Sequence, residues 1–454
     1  MKRARWWLVA SVGWALVTVL RAADPEEGVL LRERLPGEGE VIRTTLTAVQ
    51  EGKLVLPGEG SKDQKLRLRA EARLVFEDAA PQGTKMRVRY LEDAAVGVLV
   101  QGRKVVRSMR EAVRLVAVHL RDGSLLFYSP LGPLTYEELQ MLQYPFDPFV
   151  FDWFLPEGGR VRAMQRWKLG DEAVRLMLRF EELQQHDLQA VCEQITAEKV
   201  TIRIAGTAVG TFAVAPARIT VNAVLEYDRA QRLIRQVRAE LEESKSPGPV
   251  EPGMEGTVRV TLERSLVQAR HLTPQRLALV PAEPPRTADY LVFEHEGGLF
   301  RLYYPRRWRV HFADKSSLVL KWVDREGLVA QCNVVLGHKG SPGTHLEPAK
   351  IREQVLKAVG KHRREVLEER TLPSEGGLWV YRMAIAGVVG KEPVVWHYYT
   401  VADRDGQHLY VVFSVPASKA SIFGAADLEI VQSLQMPAPR AAERISRGSE
   451  RAKR

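Results

Sequence analysis

The chain has 454 residues, of which 45% are hydrophobic and 27% are charged. This composition excludes a wholly disordered chain, a collagen-like fibre and a polytopic membrane protein, and the length predicts two or three domains. The two cysteines exclude a disulfide scaffold and any zinc or iron–sulfur site built from several cysteines.

The N-terminus has the pattern of a secretory signal peptide. Its basic residues are Lys2, Arg3 and Arg5. An apolar run over 6–20 follows, and Ala22 and Ala23 come after it. Because a spanning helix needs ~20 apolar residues, the shorter run predicts a cleaved signal over 1–23 and an exported, periplasmic or extracellular protein. Arg21 lies where a small residue is preferred, so an uncleaved N-terminal membrane anchor is the alternative.

The net charge of +10 lies mostly at the two ends of the chain. The signal carries four basic residues, and the stretch after Pro439 carries six basic against two acidic ones, which leaves +2 for the residues between them. A body this close to neutral argues against a nucleic-acid partner, because binding to phosphates needs a concentrated basic surface.

The C-terminal stretch 437–454 is predicted to be a basic, disordered tail. Its arginines recur at helical spacing, at Arg440, Arg444, Arg447 and Arg451. The alternative is that these four contact an anionic membrane or wall surface.

A first region, over 28–267, is dominated by alternating apolar and polar residues. The clearest apolar series is Leu66, Leu68, Ala70, Ala72, Leu74 and Phe76. A period of two predicts a strand with one buried face, and similar runs cover 86–90, 200–204 and 219–227. Successive one-sided strands predict a curved antiparallel sheet, whose apolar face needs covering helices.

Two helices are predicted to cover that sheet. Thr135 and Glu138 form a capping-box pattern, and a second helix is expected over 171–183. Between them lies an aromatic cluster: Phe149, Phe151, Trp153 and Phe154. The cluster fills the core in one interpretation and lines a cavity for an apolar ligand in the other.

A proline-rich linker over 268–289 precedes a second region over 290–436. Strands are expected over 300–304, 318–322, 379–385, 396–400 and 409–413. Pro348 begins an amphipathic helix, and a closing helix covers 427–434.

The second region resembles the PsbP-like domain family. The resemblance lies in Phe300-Arg-Leu-Tyr-Tyr-Pro-Arg-Arg-Trp-Arg-Val310 and in the closing segment that begins at Asp427. It implies an α/β/α sandwich around an antiparallel sheet and a non-enzymatic accessory or binding role, with no ligand residues carried over. Together the two regions predict an α+β protein.

No catalytic or metal-binding motif stands out. G-x-S-x-G and a phosphate loop are absent from the sequence. Glu294 and Glu296 share one face of a strand while His295 takes the other, so the three cannot chelate together and a solvated hairpin edge is expected. His362 is expected on the buried face of its helix. We predict no metal and no cofactor.

The cysteines leave two alternatives. Cys192 and Cys332 lie in different regions, so they are either two separate buried thiols or a bridge between the regions.

The leading hypothesis is an exported, non-enzymatic binding or assembly protein of the cell envelope, with an unknown envelope protein as its partner. The first alternative is a carrier of an apolar ligand, of lipid or lipoprotein type, in the first region. The second is an undetected hydrolase that uses His295 or His397.

Overall fold

The computed structural model describes residues 28–56, 64–81, 85–373 and 377–436. Strands account for 56% of these residues and helices for 16%, and the sheets are antiparallel. The chain is therefore mostly β, with a smaller helical share.

Thirteen strands of the described first region form one long sheet. The strands of the region are β1 (Val29–Leu30), β2 (Glu40–Leu56), β3 (Gln64–Ala79), β4 (Met86–Val100), β5 (Arg103–Ser108), β6 (Leu115–Arg121), β7 (Ser124–Tyr128), β8 (Arg160–Val161), β9 (Arg166–Lys168), β10 (Glu182–His186), β11 (Gln189–Ile195), β12 (Lys199–Phe212), β13 (Ala215–Asp228), β14 (Leu233–Lys245) and β15 (Gly253–Gln268). Only β1 and β8 lie outside the long sheet, and these two pair with each other.

The order along the sheet is β7-β6-β4-β3-β2-β15-β14-β13-β12-β11-β9, with β5 added to β4 and β10 to β12. The pairing is antiparallel throughout, as the alternating pattern predicts. Leu46 of β2 lies opposite Leu262 of β15. This pairing joins strands from the two ends of the region. It connects the hairpins that precede α1 with those that follow α2 into one sheet.

The sheet's inner face carries Leu46, Leu74 and Phe76 and is covered by α1 (Tyr136–Leu142), α2 (Asp171–Leu178) and a 3₁₀ helix over Pro148–Phe154. The predicted capping box is confirmed, because the Glu138 N–H donates to Thr135 Oγ1 at 3.2 Å and the Thr135 N–H donates to Glu138 Oε2 at 2.8 Å.

The second helix ends earlier than predicted. Arg179 has a φ of 65°, a left-handed conformation that ends α2. Residues Glu182–His186, which the sequence assigns partly to this helix, form strand β10.

The proline-rich segment covers one part of the outer face of the long sheet, around β4, β6 and β7. Leu272, Val280 and Ala288 pack against Val88 and Ala117 in a separate small core. Four residues of the predicted linker form α3 (Pro274–Leu277). Pro274 occupies the first turn, where its missing N–H costs nothing.

The second region holds a hairpin, a seven-stranded sheet and three helices among its described residues. The elements are β16 (Tyr290–Glu294), β17 (Arg301–Pro305), β18 (Trp308–Ala313), β19 (Ser317–Asp324), β20 (Gly327–Leu336), α4 (Pro348–Val359), β21 (Arg363–Leu372), β22 (Trp379–Val389), β23 (Glu392–Ala402), β24 (His408–Pro416), α5 (Ala420–Phe423) and α6 (Ala426–Gln432). The sheet order is β18-β19-β20-β24-β23-β22-β21.

Helices lie on both faces of this second sheet. Ile351 of α4 packs with Met383 on one face, and Phe423 of α5 and Ile430 of α6 join Phe413 in the main core on the other. The prediction for His362 is wrong, because α4 ends at Val359 and His362 is exposed in the turn that follows.

The two regions are packed together. The main core contains side chains of both sheets. Across the junction the Val292 N–H donates to the Leu134 carbonyl at 2.9 Å, and Arg306 Nη2 donates to the Phe127 carbonyl at 2.6 Å. The domain limits 28–267, 268–289 and 290–436 stay predictions.

Candidate functional site: the inner face of the long sheet

The inner face of the long sheet continues beyond the core that covers it. Leu74 and Phe76 of β3 are 1% and 0% exposed. The preceding inner residues of β3 and their neighbours on β2 and β4 are partly exposed, and Val105 on β5 is 46% exposed. We call this surface the apolar platform: Leu66, Leu68, Ala70, Ala72, Ala48, Leu54, Val96, Val98, Val100 and Val105. Ala48 and Ala72 touch the edge of the main core, and the other residues lie beyond it.

The cross-strand register makes the platform continuous. Val98 lies opposite Ala70 on one side and opposite Val105 on the other. Ala48 lies opposite Ala72. Paired residues of neighbouring antiparallel strands point to the same face, so the apolar side chains of β3 and β4 form one surface that reaches Val105 on β5, while Gln50 interrupts it on β2.

A pair of glycines permits a close approach where β2 meets β15. Gly52 lies opposite Gly256, and a Cβ on Gly52 would lie 2.7 Å from Gly256 Cα and 2.8 Å from Met254 Cε. Only glycine fits on either strand at this separation. Met254 is itself 3% exposed, so the platform is closed on the β15 side and open toward β5.

Basic residues border the open side. Arg103 and Arg107 lie on the inner face on either side of Val105, opposite Val100 and Val96. Arg107 Nη2 is 3.7 Å from Glu296 Oε1. Arg103 enters no ion pair in the described part of the chain and is exposed.

A desolvated polar cluster borders the other side. Gln50, which lies opposite Ala70, places its Nε2 3.4 Å from Glu243 Oε2. Burial raises the pKa of the Glu243 carboxyl, and the positive charge of Lys245 offsets part of this increase. Burial also lowers the pKa of Arg179 to about 10.

The second region contributes to this cluster. Burial lowers the pKa of Arg309, which pairs with Glu181. The Tyr136 hydroxyl donates to Glu251 Oε1 at 3.2 Å, and burial followed by the Glu251 charge raises the pKa of the phenol. The apolar platform therefore ends in poorly hydrated polar groups on one side and in exposed arginines on the other.

The four aromatic residues proposed from sequence as ligand contacts fill the core. Phe149, Phe151 and Phe154 are 7%, 0% and 1% exposed, and Trp153 is partly buried against the same core. The rings of Phe151 and Phe154 are 5.6 Å apart between centroids. Their role as ligand contacts stays a prediction. The arginines proposed to touch an anionic surface, Arg440, Arg444, Arg447 and Arg451, lie outside the described residues.

One group of potential metal ligands occurs in the described residues, formed by Glu77, Glu92 and His271, whose ligand atoms lie within 4.8 Å of one another. Both carboxylates are already engaged. Glu77 accepts three backbone N–H groups at 2.8–2.9 Å, and Glu92 forms a two-point pair with Arg43 at 3.0 and 2.7 Å. A cation here would have to displace these donors.

The two histidines considered for hydrolysis lie in different places. His295 is 7% exposed, so the expected solvated edge is wrong for this residue, and its Nε2 is 2.9 Å from the Lys315 carbonyl. His397 Nδ1 lies 3.2 Å from Asp427 Oδ2 and 2.9 Å from Arg382 Nη2. This histidine belongs to a buried ionic network under α6.

Cys192 and Cys332 are both buried and free. Burial raises the pKa of both thiols, and the Asp427 charge adds to the effect at Cys332. Neither is therefore activated as a thiolate nucleophile.

Sequence reasoning missed the platform. The alternation in β3 was visible, but it was interpreted as a face that is buried along its whole length. The signal in the sequence was the small size of Ala48, Ala70 and Ala72. Alanine side chains are too short to interdigitate with a covering layer, so they indicate a face without one.

Comparison with known proteins gives no assignment. No family model matches the chain, and no curated protein matches it. Among the described residues no helix has both the length and the apolar character needed to cross a bilayer.

Solved structures show only weak similarity. A protein from Bacteroides thetaiotaomicron VPI-5482 is 13% identical, with a TM-score of 0.24. The match covers 32% of this chain and 48% of that protein. Cyanobacterial PsbP from Synechocystis sp. PCC 6803 is 13% identical, with a TM-score of 0.26. The match covers 33% of this chain and 93% of that protein. Lipovitellin, described for its lipid–protein interactions, is 11% identical with a TM-score of 0.32, covering 52% and 26%. This chain thus spans about half of the first protein and a quarter of lipovitellin, and likeness this weak carries no argument.

Proposed function

We propose that this chain is a non-enzymatic binding protein whose ligand is an amphiphile, with an aliphatic chain on the apolar platform and an anionic head group at β5. The observation that carries the proposal is the continuation of the inner face past its core, from Leu74 to Leu66 along β3 and across to Val105. Exposed apolar area costs about 25 cal/mol per Å² relative to burial. Contiguous patches of this kind mark interaction sites.

The chemistry of the platform favours an aliphatic chain. Its side chains are small or aliphatic, with Gln50 as the polar residue within the β2 series. Such a surface offers dispersion contacts along its length but almost no hydrogen bonds. A peptide or a sugar would leave its own polar groups unpaired there.

The rim favours a negative head group. Arg103 is exposed and without an ion-pair partner in the described residues, and it lies on the same face as the platform. A guanidinium binds carboxylate or phosphate through two parallel hydrogen bonds. A fatty acid or an anionic phospholipid supplies both parts of this ligand.

A fluorescence titration of the full chain tests the proposal. The probe is cis-parinaric acid, whose emission rises when its chain leaves water, and the control is the corresponding alcohol. We expect saturable binding of the acid and roughly tenfold weaker binding of the alcohol, the factor that 1.4 kcal/mol of head-group pairing gives. If neither binds, the proposal fails. If both bind equally, the platform is still the site for the aliphatic chain, but the prediction of an anionic head group is wrong.

We also propose that the protein is exported and that its second region is a PsbP-like domain. Support for export comes from the N-terminal pattern over 1–23. Support for the domain comes from the Phe300–Val310 motif and from an antiparallel sheet with α4 on one face and α5 and α6 on the other. N-terminal sequencing of protein recovered from cell fractions should find a chain beginning near Asp24. An intact Met1 would favour the anchor.

A further inference from the structure

Strand β5 is a free edge of the long sheet. Its one partner among the described residues is β4, with an unbroken register from Ala95–Ser108 to Val100–Arg103. All six residues of β5 are exposed. Val105 and Val106, which point to opposite faces, are 46% and 59% exposed. The strand contains no proline or bulge that would block a further strand.

The hairpin that carries this edge is well defined. Gln101 and Gly102 have φ values of 48° and 80°. Two successive positive φ values are typical of the two-residue turn whose twist matches that of paired strands. The backbone donors and acceptors of β5 that point away from β4 are therefore held in extended conformation, without a strand partner in the described part of the chain.

The charge of the edge selects its partner. From Ala94 to Arg110 the sequence contains no acidic residue, while β5 itself carries Arg103, Lys104 and Arg107. Pairing of β5 with a second copy about a two-fold axis between Val105 and Val106 would place Lys104 opposite Arg107. Like charges directly opposite destabilise a pair of strands, so self-pairing is disfavoured.

The outer face beside this hairpin adds a cleft. Its volume is about 650 Å³, and its lining includes Leu99, Arg67 and Lys53 together with the acidic residues Glu51 and Glu255. Arg67 and Lys53 form no ion pair within the described ranges of the chain.

We propose that an acidic segment of a partner protein, in extended conformation, adds to the free edge of β5 as a further strand. Main-chain hydrogen bonds to β5 give the segment affinity, as in other cases of strand addition, and its carboxylates pair with Lys104 on the outer face. This inference is independent of the amphiphile, because the edge and the inner face are different surfaces.

A labelled peptide that alternates glutamate and valine tests the inference on the full chain, by fluorescence anisotropy. Its first control alternates lysine and valine. The second is the same acidic peptide with N-methyl groups on alternate residues, which keeps the charge and the side chains but removes N–H donors. We expect the acidic peptide to bind and both controls to bind at least tenfold more weakly.

Matched variants locate the binding. Lys104→Glu reverses a charge on the outer face of β5, away from the apolar platform, and should weaken binding about tenfold. Arg218→Glu reverses an exposed charge on β13, a central strand, and should leave it unchanged. Hydrogen exchange should show protection of the amides over 103–108 when peptide is bound.

Three results would overturn the proposal. Absence of peptide binding would mean that the charges of β5 keep the edge free. Equal binding of the N-methylated peptide would show charge attraction without a strand ladder. Binding that resists Lys104→Glu would place the peptide elsewhere.

Discussion

Asp427 of α6 and Arg382 of β22 form an ion pair of 3.0 Å in the interior of the second region. Their side chains are 1% and 10% exposed. The Tyr399 hydroxyl donates to the same carboxylate oxygen at 2.5 Å. The last described helix is thus held against β22 and β23 by a network of ion pairs and hydrogen bonds, and not by apolar packing alone.

We predict that Asp427→Asn lowers the free energy of unfolding by about 3 kcal/mol, because it removes the more deeply buried of the two carboxylates that pair with Arg382, leaving only Glu368. Urea denaturation measures the change. Glu353→Gln on the exposed side of α4 is the control, with an expected change within ~0.5 kcal/mol. Equal stability of the two variants would show that the network does not stabilise the fold.

The same carboxyl predicts a pH dependence. Burial alone would raise the pKa of Asp427, but hydrogen bonds from His397 and Tyr399 and the charge of Arg382 outweigh it and hold the pKa well below its ordinary value. A pKa lower in the folded than in the unfolded state contributes stability above the unfolded value of about 3.9, and this is lost as the pH falls further. The stability of Asp427→Asn should therefore decline less steeply than that of the parent below about pH 4. Parallel curves would contradict this.

Glu77 anchors the proline-rich segment to the outer face of the long sheet through the N–H groups of Arg270, His271 and Leu272. Glu77→Gln keeps one acceptor oxygen, and we expect it to lower the free energy of unfolding by about 2 kcal/mol. Trypsin should then cut faster at Arg270 and Arg276.

The control for Glu77 is Glu71→Gln, which removes an exposed pair with Arg69 and should cost at most about 1 kcal/mol. Unchanged trypsin cleavage in Glu77→Gln would show that the segment is held by its apolar contacts instead.

The thiols give a fourth test. Since Cys192 and Cys332 are buried and burial raises the pKa of each, neither should react with Ellman's reagent in the folded chain. Unfolding without reductant should release two reactive thiols per molecule. Fast reaction of the folded protein would contradict the burial, and fewer than two thiols after unfolding would show a disulfide.

Local features were predictable from the sequence. The period-two pattern of β3 and the capping box at Thr135 each depend on residues within a few positions of one another. The pairing of β2 with β15 was not predictable, because its register depends on residues some 200 positions apart.

The candidate site was missed for a related reason. Leu74 and Leu68 occupy the same phase of the same alternation, yet the first is 1% exposed and the second lies beyond the core. Periodicity shows which face of a strand is apolar, but what covers that face depends on distant elements. The end of α2 at Arg179 was unpredictable too, because a non-glycine residue takes the left-handed conformation there.

The most direct test of the apolar platform compares two neighbouring residues of β4. Val98 points to the inner face, within the platform, and Leu99 points to the outer face. After both variants are shown to fold by circular dichroism, Val98→Glu should weaken binding of cis-parinaric acid at least tenfold, while Leu99→Glu should bind it like the parent. Equal binding by the two variants would contradict the assignment of the ligand to this face.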